Sequence, residues 1–309
     1  MKKAYHIPVL LSEAVAGLNI KDGGLYVDAT YGGGGHSAAL METAADIKLL
    51  AFDKDQEAEN NARHYINEHP EYKENFTFFR SDYRYVQNFL NYAGFQQADG
   101  LLADLGVSSR QFDDARRGFS FRTEDAVPDM RMNKKSAKTA LKVLNEYPEK
   151  DLYRIFKNYG ELKKARFMAS LIVNSRNDKP IETSADLNSA VSKALPKYSE
   201  YKILAQLYQA LRIEVNDELK GLEKLLKTCP EIIKKGGRLV ILTYHSLEDR
   251  LVKNFMKSGN FSGELQKDIF GNPQKDFELL KPKIIRPSEE EIQKNSRAAS
   301  AKLRIAQRL

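Results

Sequence analysis

A glycine-rich loop between two apolar segments is the clearest candidate for chemistry in this sequence. The stretch VDATYGGGGH spans residues 27–36, follows a short apolar run and opens a helical pattern. Successive glycines lose much backbone entropy on folding, so a turn that contains them implies that another group lies close to its backbone. Amide groups at the start of the helix would then offer hydrogen bonds to a ligand. We interpret the loop, with Gly32, Gly34 and Gly35, as a cofactor-binding turn.

Two nucleoside cofactors fit this loop. The residues from Gly33 to Ala38 match the pattern G-x-G-x-x-G/A, so the glycines alone leave NAD open. Asp28 favours S-adenosylmethionine, because a carboxylate at the strand end repels a pyrophosphate and suits a ligand that carries an ammonium and a sulfonium. The loop also matches D-x-x-x-G-x-G, as the binding loop for that cofactor is usually written. Asp53 ends the next apolar run and could bind both ribose hydroxyls, unless it only caps the following helix.

Polar residues also follow the third and fourth apolar runs. Tyr83 is placed for an adenine ring, although Asp82 before it could simply cap a helix. Asp104 ends an otherwise apolar strand, where an unpaired carboxylate is costly, so we interpret it as functional. Gln111 is a further candidate, with a solvated loop residue as the alternative.

The motif TYHSLEDR, residues 243–250, contains a histidine that capping does not explain. Ser246 with Asp249 resembles a capping box, and acidic residues suit the positive end of a helix. His245 stands just before that cap, so we interpret it as a catalytic candidate, with a structural histidine as the alternative. The sequence offers no convincing set of metal ligands, and we expect no metal site.

The elements that must position these residues alternate over the first hundred positions. Helical patterns separate short apolar runs, which predict strands at residues 25–29, 48–52, 76–79 and 99–104. Near-continuous apolar strands separated by helices indicate a parallel sheet covered on both faces. Ligands of such sheets bind outside the carboxyl ends of the strands, where the candidate residues stand. The sequence therefore predicts a doubly wound, Rossmann-like α/β sheet.

A helical block interrupts this alternation. Helical patterns fill about a hundred residues after the fourth strand and include one long amphipathic helix from about Tyr201 to Lys227. Strand patterns return at residues 238–244 and again in FELLKPKII and AKLRIAQ. We therefore expect a core of residues 1–110 and 213–309, with residues 111–212 inserted as a helical domain that recognises the substrate.

Composition and charge narrow the class of protein. The 309 residues have a net charge of +7 and one cysteine, Cys229, which excludes intramolecular disulfides and indicates a reducing compartment. No apolar run is long enough for a membrane helix, and residues 7–11 are too short for a signal peptide, so we expect a cytoplasmic protein without membrane contact. Basic clusters at residues 134–176 and 281–309 fit a nucleic-acid surface as well as solvated helix faces. The sequence leaves open whether the protein is a monomer or a homodimer.

Several motifs occur together in the order typical of one family. VDATYGGGGH, ADLGVSSRQFDD, PDMRM, YQALRIEVNDEL and TYHSLEDR resemble motifs of the bacterial 16S rRNA cytosine-N4 methyltransferases. The resemblance runs from His6 to the C-terminal SAKLRIAQR, and GVSS, DMRM and HSLEDR together are highly specific. Gln206 and Ala299 replace arginines typical of the family, which affects individual RNA contacts but not the cofactor site.

The resemblance implies a fold, a reaction and a set of site residues. The fold is a class I methyltransferase sheet with an inserted helical domain, and the reaction is N4 methylation of a cytidine in the decoding centre of the small ribosomal subunit. The implied contacts of S-adenosylmethionine are Gly34, Gly35, His36, Asp53, Tyr83, Asp104 and Gln111. We expect Asp104 or His245 to accept the amine proton. An NAD-dependent oxidoreductase and a non-catalytic RNA-binding ribosome-assembly factor are the alternative functions.

Overall fold

The computed structural model describes residues 8–309, with the side chains of residues 109 and 110 excepted. His6, where the family resemblance begins, lies outside the described residues. The chain divides into two compact units. One contains the described residues up to Gly106 together with Lys220–Leu309, and the other is Val107–Leu219. None of the described helices has the length and apolar character needed to cross a membrane.

The first unit is built on one seven-stranded sheet. Its strands are β1 (Leu25–Asp28), β2 (Lys48–Asp53), β3 (Phe76–Arg80), β4 (Ala98–Asp104), β5 (Ile233–Thr243), β6 (Phe277–Leu279) and β7 (Lys302–Arg308). The spatial order is β3-β2-β1-β4-β5-β7-β6. Strands β1 to β5 pair in parallel, and β7 is antiparallel to both β5 and β6. The predicted doubly wound α/β sheet is confirmed.

Helices cover both faces of this sheet. In β1, Leu25 and Val27 pack into one apolar cluster and Tyr26 packs into another, because alternate residues of a strand point to opposite faces. The helices on the first face are α4 (Val86–Tyr92), α11 (Glu218–Ile232) and α12 (Ser246–Ser258). Those on the second are α1 (Leu11–Leu18), α2 (Gly35–Thr43) and α3 (Gln56–Glu68). A short helix, α13 (Glu289–Lys294), precedes β7.

The parallel pairing places three carboxylates at one edge of the sheet. Strands β1, β2 and β4 end at Asp28, Asp53 and Asp104, and β1 pairs with both of the others. All three strands run in the same direction, so their carboxyl ends lie side by side. The fold therefore positions the glycine loop and the strand-end acids in one region of the first unit.

The second unit is helical and has its own apolar core. Its helices are α5 (Ser109–Asp113), α6 (Ala140–Glu146), α7 (Glu149–Asn158), α8 (Ala165–Asp178), α9 (Ser184–Val191) and α10 (Glu200–Asn216). Buried side chains such as Phe156, Ile172, Leu207 and Leu211 pack together in this core. A unit with its own core is able to present a surface separate from that of the sheet.

The single long helix predicted from Tyr201 to Lys227 is wrong. The chain leaves helical geometry at Asp217, whose φ of 50° lies in the left-handed region, so α10 ends at Asn216 and α11 begins at Glu218. Aspartate enters this region more readily than most residues do. The Asn216 side chain also donates to Met130 O and accepts from Met132 N, which holds the helix end in place. A one-residue break does not disturb apolar periodicity enough to be detected in the sequence.

The strand predicted over FELLKPKII is also shorter than expected. Only Phe277–Leu279 forms β6, and Ile285 makes an isolated bridge to Leu303. Pro282 stands between them and has no backbone N–H to donate to a ladder, so the strand cannot continue through it.

Candidate functional site

Asp28 holds the turn that follows β1. Its carboxylate accepts the backbone N–H of Thr30 at 3.0 Å and the Ser37 hydroxyl at 2.6 Å. The side chain is 1% exposed, and burial raises the pKa of Asp28. The carboxylate is enclosed by its own loop, and an electrostatic interaction of Asp28 with the ammonium or sulfonium of a ligand stays a prediction. Its role in the structure is to fix the shape of the turn.

Gly34 and Gly35 are required by contacts within the protein. Gly34 has a φ of 83°, and a Cβ there would lie 2.5 Å from the Tyr31 hydroxyl. A Cβ on Gly35 would overlap the ring of Pro8. The close approach that the glycines predict is therefore made by Tyr31 and Pro8. Ligand contacts of Gly34 and Gly35 stay predictions.

Asp53 connects the end of β2 to the glycine loop. Its Oδ2 accepts the N–H of Gly32 at 2.9 Å, and its Oδ1 accepts the N–H of Asp55 at 2.8 Å. The cap of α3 is Asp55, which accepts from Glu57 N, so the alternative in which Asp53 caps that helix is wrong. Burial raises the pKa of Asp53 despite its two N–H donors. Each carboxylate oxygen can accept a second hydrogen bond, which suits a ligand with two neighbouring hydroxyls.

Asp104 lies between Tyr244 and His36 at the end of β4. The Tyr244 hydroxyl donates to Asp104 Oδ1 at 2.7 Å, and His36 Nδ1 lies 3.8 Å from Asp104 Oδ2. The backbone N–H of Asp104 donates to the Thr30 hydroxyl at 2.6 Å, which joins β4 to the turn after β1. Burial and the Asp104 carboxylate raise the pKa of Tyr244 well above its usual value, so the phenol remains a donor.

Tyr244 is a site residue that the sequence reasoning missed. It directly follows β5 and precedes His245, and its position at a strand end was the available signal. Tyrosine is common in apolar cores, so its type alone did not distinguish it. Its hydrogen bond fixes the orientation of the Asp104 carboxylate.

His36 supplies a buried nitrogen that suits a bound ligand. The side chain is 8% exposed, and burial lowers the pKa of His36, which keeps the imidazole neutral at pH 7. The ring interacts with the Val9 backbone, and its Nε2 has no well-aligned hydrogen-bond partner among the described residues. A buried polar atom without a partner calls for an explanation, and a ligand can provide one. With the acceptor capacity of Asp53, this nitrogen makes the strand-end region chemically suitable for a nucleoside cofactor.

The structure places Tyr83 and Gln111 on other elements. Tyr83 begins a short 3-10 turn after β3 and packs against the apolar cluster of the first unit. Asp82 caps that turn by accepting Arg84 N, in agreement with the capping alternative. Gln111 lies on α5 in the second unit, where its side chain accepts Ser108 N at 3.2 Å. Cofactor contacts of Tyr83 and Gln111 stay predictions.

His245 is the N-cap of α12. Its Nδ1 accepts the N–H of Glu248 at 3.4 Å, and the Glu248 carboxylate accepts the N–H of Tyr244 at 3.1 Å. His245 Nε2 lies 3.1 Å from Glu248 Oε1, although the two atoms are not aligned for a hydrogen bond. The prediction that Ser246 is the N-cap of α12 is therefore wrong by one residue. Capping accounts for the presence of His245 at this position. The catalytic role of His245 stays a prediction.

Two substitutions separate capping from catalysis at His245. Because alanine cannot cap, we expect His245→Ala to lower the free energy of unfolding by about 0.5–2 kcal/mol in urea titrations. His245→Asn should restore most of that loss, since asparagine is among the preferred N-cap residues. If both variants turn over roughly 100-fold more slowly than wild type, the imidazole is required for catalysis. If only His245→Ala is impaired, capping is its role.

The chain is similar along its length to one family of methylases. The model of the MraW methylase family matches residues 3–309. A protein from Bacteroides thetaiotaomicron is 49% identical over 98% of this chain and 97% of its own length. Proteins from Parabacteroides distasonis and Cytophaga hutchinsonii are 48% and 47% identical, over 99% and 98% of this chain and 98% and 99% of their own lengths. Each of the three relatives is named Ribosomal RNA small subunit methyltransferase H.

Proposed function

Because the chain belongs to the MraW methylase family, we propose that it methylates N4 of a cytidine in the decoding centre of 16S rRNA, with S-adenosylmethionine as methyl donor. Its relatives are named as methyltransferases of small-subunit ribosomal RNA. The observation that carries the proposal is the strand-end cluster of the first unit. There Asp53, His36 and Asp104 lie around one glycine turn.

The cofactor would be held by residues of the turn and of β2. Asp53 would accept hydrogen bonds from the ribose hydroxyls through the lone pairs that Gly32 and Asp55 do not use. His36 Nε2 offers a further buried polar atom at the glycine turn. When bound, S-adenosylmethionine supplies a methyl group on a positively charged sulfur. Gly34, Gly35, Tyr83 and Gln111 complete the proposed contact set.

Asp104 is the proposed acceptor for the amine of the target base. The exocyclic amine of cytosine is a weak nucleophile, so it must be oriented and its proton must be accepted. Tyr244 donates to Asp104 Oδ1, and Asp104 Oδ2 lies 3.8 Å from His36 Nδ1, at the glycine turn. We infer that Asp104 Oδ2 accepts a hydrogen bond from the amine and then its proton. The target base must be unpaired or flipped out of its stack to reach this atom.

The second unit, Val107–Leu219, is the proposed substrate-recognition domain. Not every cation of its basic cluster is available to RNA, because Arg154 lies 3.5 Å from Glu214, and Arg176 donates to the carbonyls of Leu144 and Tyr147. Exposed cations remain in the same segment. They include Lys134, Lys135, Lys150, Lys163 and Lys164. An exposed cationic surface binds the phosphates of RNA without reading its sequence.

Methyl transfer to undermethylated subunits tests the proposal. Small subunits from a bacterial strain without this enzyme would be incubated with the protein and methyl-labelled S-adenosylmethionine, and their 16S rRNA digested to nucleosides. We expect the label in N4-methylcytidine, while subunits that already carry the methyl group should take up none. Label in another nucleoside would reject the proposed position. Binding of subunits without any transfer would indicate a non-catalytic assembly factor.

A further inference from the structure

A pocket of about 260 Å³ opens beside the strand-end cluster in the first unit. On one side it is lined by the residues after β5, including His245 and Ser246, and on the other by Ser300 and Lys302 at the start of β7. The antiparallel register pairs Thr243 with Lys302, which brings these two segments together. We refer to this feature as the β5–β7 pocket.

The polar groups of the β5–β7 pocket suit an anion. Arg286 lines it, is exposed and has no hydrogen bond or ion pair among the described residues. Two backbone hydrogen bonds between Ile285 and Leu303 fix Arg286 beside Lys302. The hydroxyl-bearing residues Ser246 and Ser300 are exposed in the same lining. Two cations and two hydroxyls form a set of donors that is typical of phosphate sites.

The acidic residues nearby, Asp249, Glu248 and Glu291, each accept hydrogen bonds from donors of the protein. Asp249 accepts Lys302 Nζ at 3.0 Å and Arg304 Nε at 2.7 Å, so two cations share one carboxylate. Glu248 is buried, and its carboxylate already accepts the N–H of Tyr244. The pocket also lies at the N-terminal end of α12, where the helix dipole favours negative charge.

Tyr244 connects this pocket to the proposed reaction centre. Tyr244 lines the pocket, and its hydroxyl donates to Asp104 Oδ1 at 2.7 Å. The Tyr244 residue therefore links the pocket to Asp104, the proposed acceptor of the amine proton. When the base of a nucleotide reaches Asp104, the phosphodiester of the same nucleotide lies no farther from that base than the length of one nucleotide. Contacts to such phosphates set the register of an RNA strand.

We propose that the β5–β7 pocket binds a backbone phosphate of the RNA strand beside the target cytidine, with Arg286 as its main ligand. This inference rests on the proposed function, because it assumes an RNA substrate. The phosphate holds the strand so that the base enters at Asp104. The same donors could instead hold the phosphate of a free nucleotide, and the experiment below separates the two sources.

The test compares Arg286→Gln with Lys253→Gln, an exposed cation on α12 that does not line the pocket. For Arg286→Gln we expect the KM for undermethylated subunits to rise about 10-fold or more, since a charge-assisted hydrogen bond is lost. For binding to a single-stranded RNA oligonucleotide, the slope of the logarithm of the binding constant against the logarithm of the salt concentration should be shallower by about 0.7 in Arg286→Gln than in wild type. Lys253→Gln should behave as wild type in both measurements.

A second pair of variants probes the pocket without removing a cation. Ala299 is exposed in the pocket lining, so Ala299→Glu adds a negative charge there and Ala299→Gln adds nearly the same volume without charge. Ala299→Glu should raise the KM for subunits several-fold above that of Ala299→Gln. Equal values for the two variants would overturn the electrostatic role.

Two further results would overturn the inference while leaving the proposed function intact. One is an Arg286→Gln enzyme that methylates subunits with the wild-type KM and binds RNA with the wild-type salt slope. The other is loss of cytidine monophosphate binding in Arg286→Gln with unchanged RNA affinity, which would assign the pocket to a free nucleotide. Absence of methyl transfer by the wild-type protein would instead reject the proposed function itself.

Discussion

Replacing the Asp104 carboxylate with an amide should slow methyl transfer by about 100-fold or more. An Asp104→Asn side chain keeps the size of aspartate and can still accept the Tyr244 hydroxyl, but its amide nitrogen cannot accept a proton from the amine of the base. Losses on this scale are usual when a positioned acid or base is removed. Single-turnover rates with saturating subunits and S-adenosylmethionine measure the effect directly. The affinity for S-adenosylmethionine should fall as well, because Asp104 also borders the glycine turn.

Tyr244→Phe provides the matched control for this prediction. It keeps the carboxylate but removes the hydrogen bond that orients it, a net contribution of about 0.5–1.5 kcal/mol. We therefore expect a slower single-turnover rate, by no more than about 10-fold. An Asp104→Asn enzyme as fast as wild type would exclude Asp104 as the proton acceptor. Equal losses in the two variants would also contradict this role, because removal of the base should cost more than loss of the orienting hydrogen bond alone.

The sheet was predictable because its signals are local and strong. Strands β1 to β4 are short apolar runs between helical patterns, and the ends of three of them at Asp28, Asp53 and Asp104 are visible in the sequence. The family was predictable for a different reason: several specific motifs occur in a fixed order. The MraW family match over residues 3–309 confirms that resemblance.

Residue roles were less predictable, because they depend on contacts between distant segments. The glycines indicated a close approach to the backbone, but the sequence did not show that Tyr31 and Pro8 make that approach at Gly34 and Gly35. His245 looked unexplained because nothing in the sequence indicates that an imidazole nitrogen caps α12. Sequence spacing identifies which residues lie at a strand end, but not which partner each of them has.

The helix break at Asp217 and the role of Tyr244 could not be predicted from the sequence, for related reasons. A single left-handed residue leaves the apolar period on both sides intact, so the pattern still predicts one helix. Tyr244 acts through one hydrogen bond to a residue 140 positions earlier in the chain. No local pattern carries information about a contact of that kind.

Removing the Asp53 carboxylate should weaken S-adenosylmethionine binding about 10- to 150-fold. Asp53→Ala deletes charged acceptors for the ribose hydroxyls, and hydrogen bonds to charged groups contribute about 1.5–3 kcal/mol. At about 1.4 kcal/mol per decade, this loss corresponds to the expected range. Isothermal titration calorimetry with S-adenosylmethionine measures the affinity. The affinity for undermethylated subunits should change little, because the basic surfaces that bind RNA are left intact.

A second variant distinguishes a lost cofactor contact from a disordered loop. Asp53 also accepts Gly32 N and Asp55 N, so alanine removes two contacts that shape the turn. Asp53→Asn keeps one carbonyl oxygen, which can accept one of these two N–H groups, and replaces the other acceptor with an NH₂ group that cannot accept an N–H or a hydroxyl proton. We expect Asp53→Asn to unfold at a temperature between those of Asp53→Ala and wild type and, if the ribose contact is real, to bind S-adenosylmethionine at least about 10-fold more weakly than wild type. Wild-type affinity in Asp53→Asn would limit Asp53 to holding the turn and would remove it from the cofactor site.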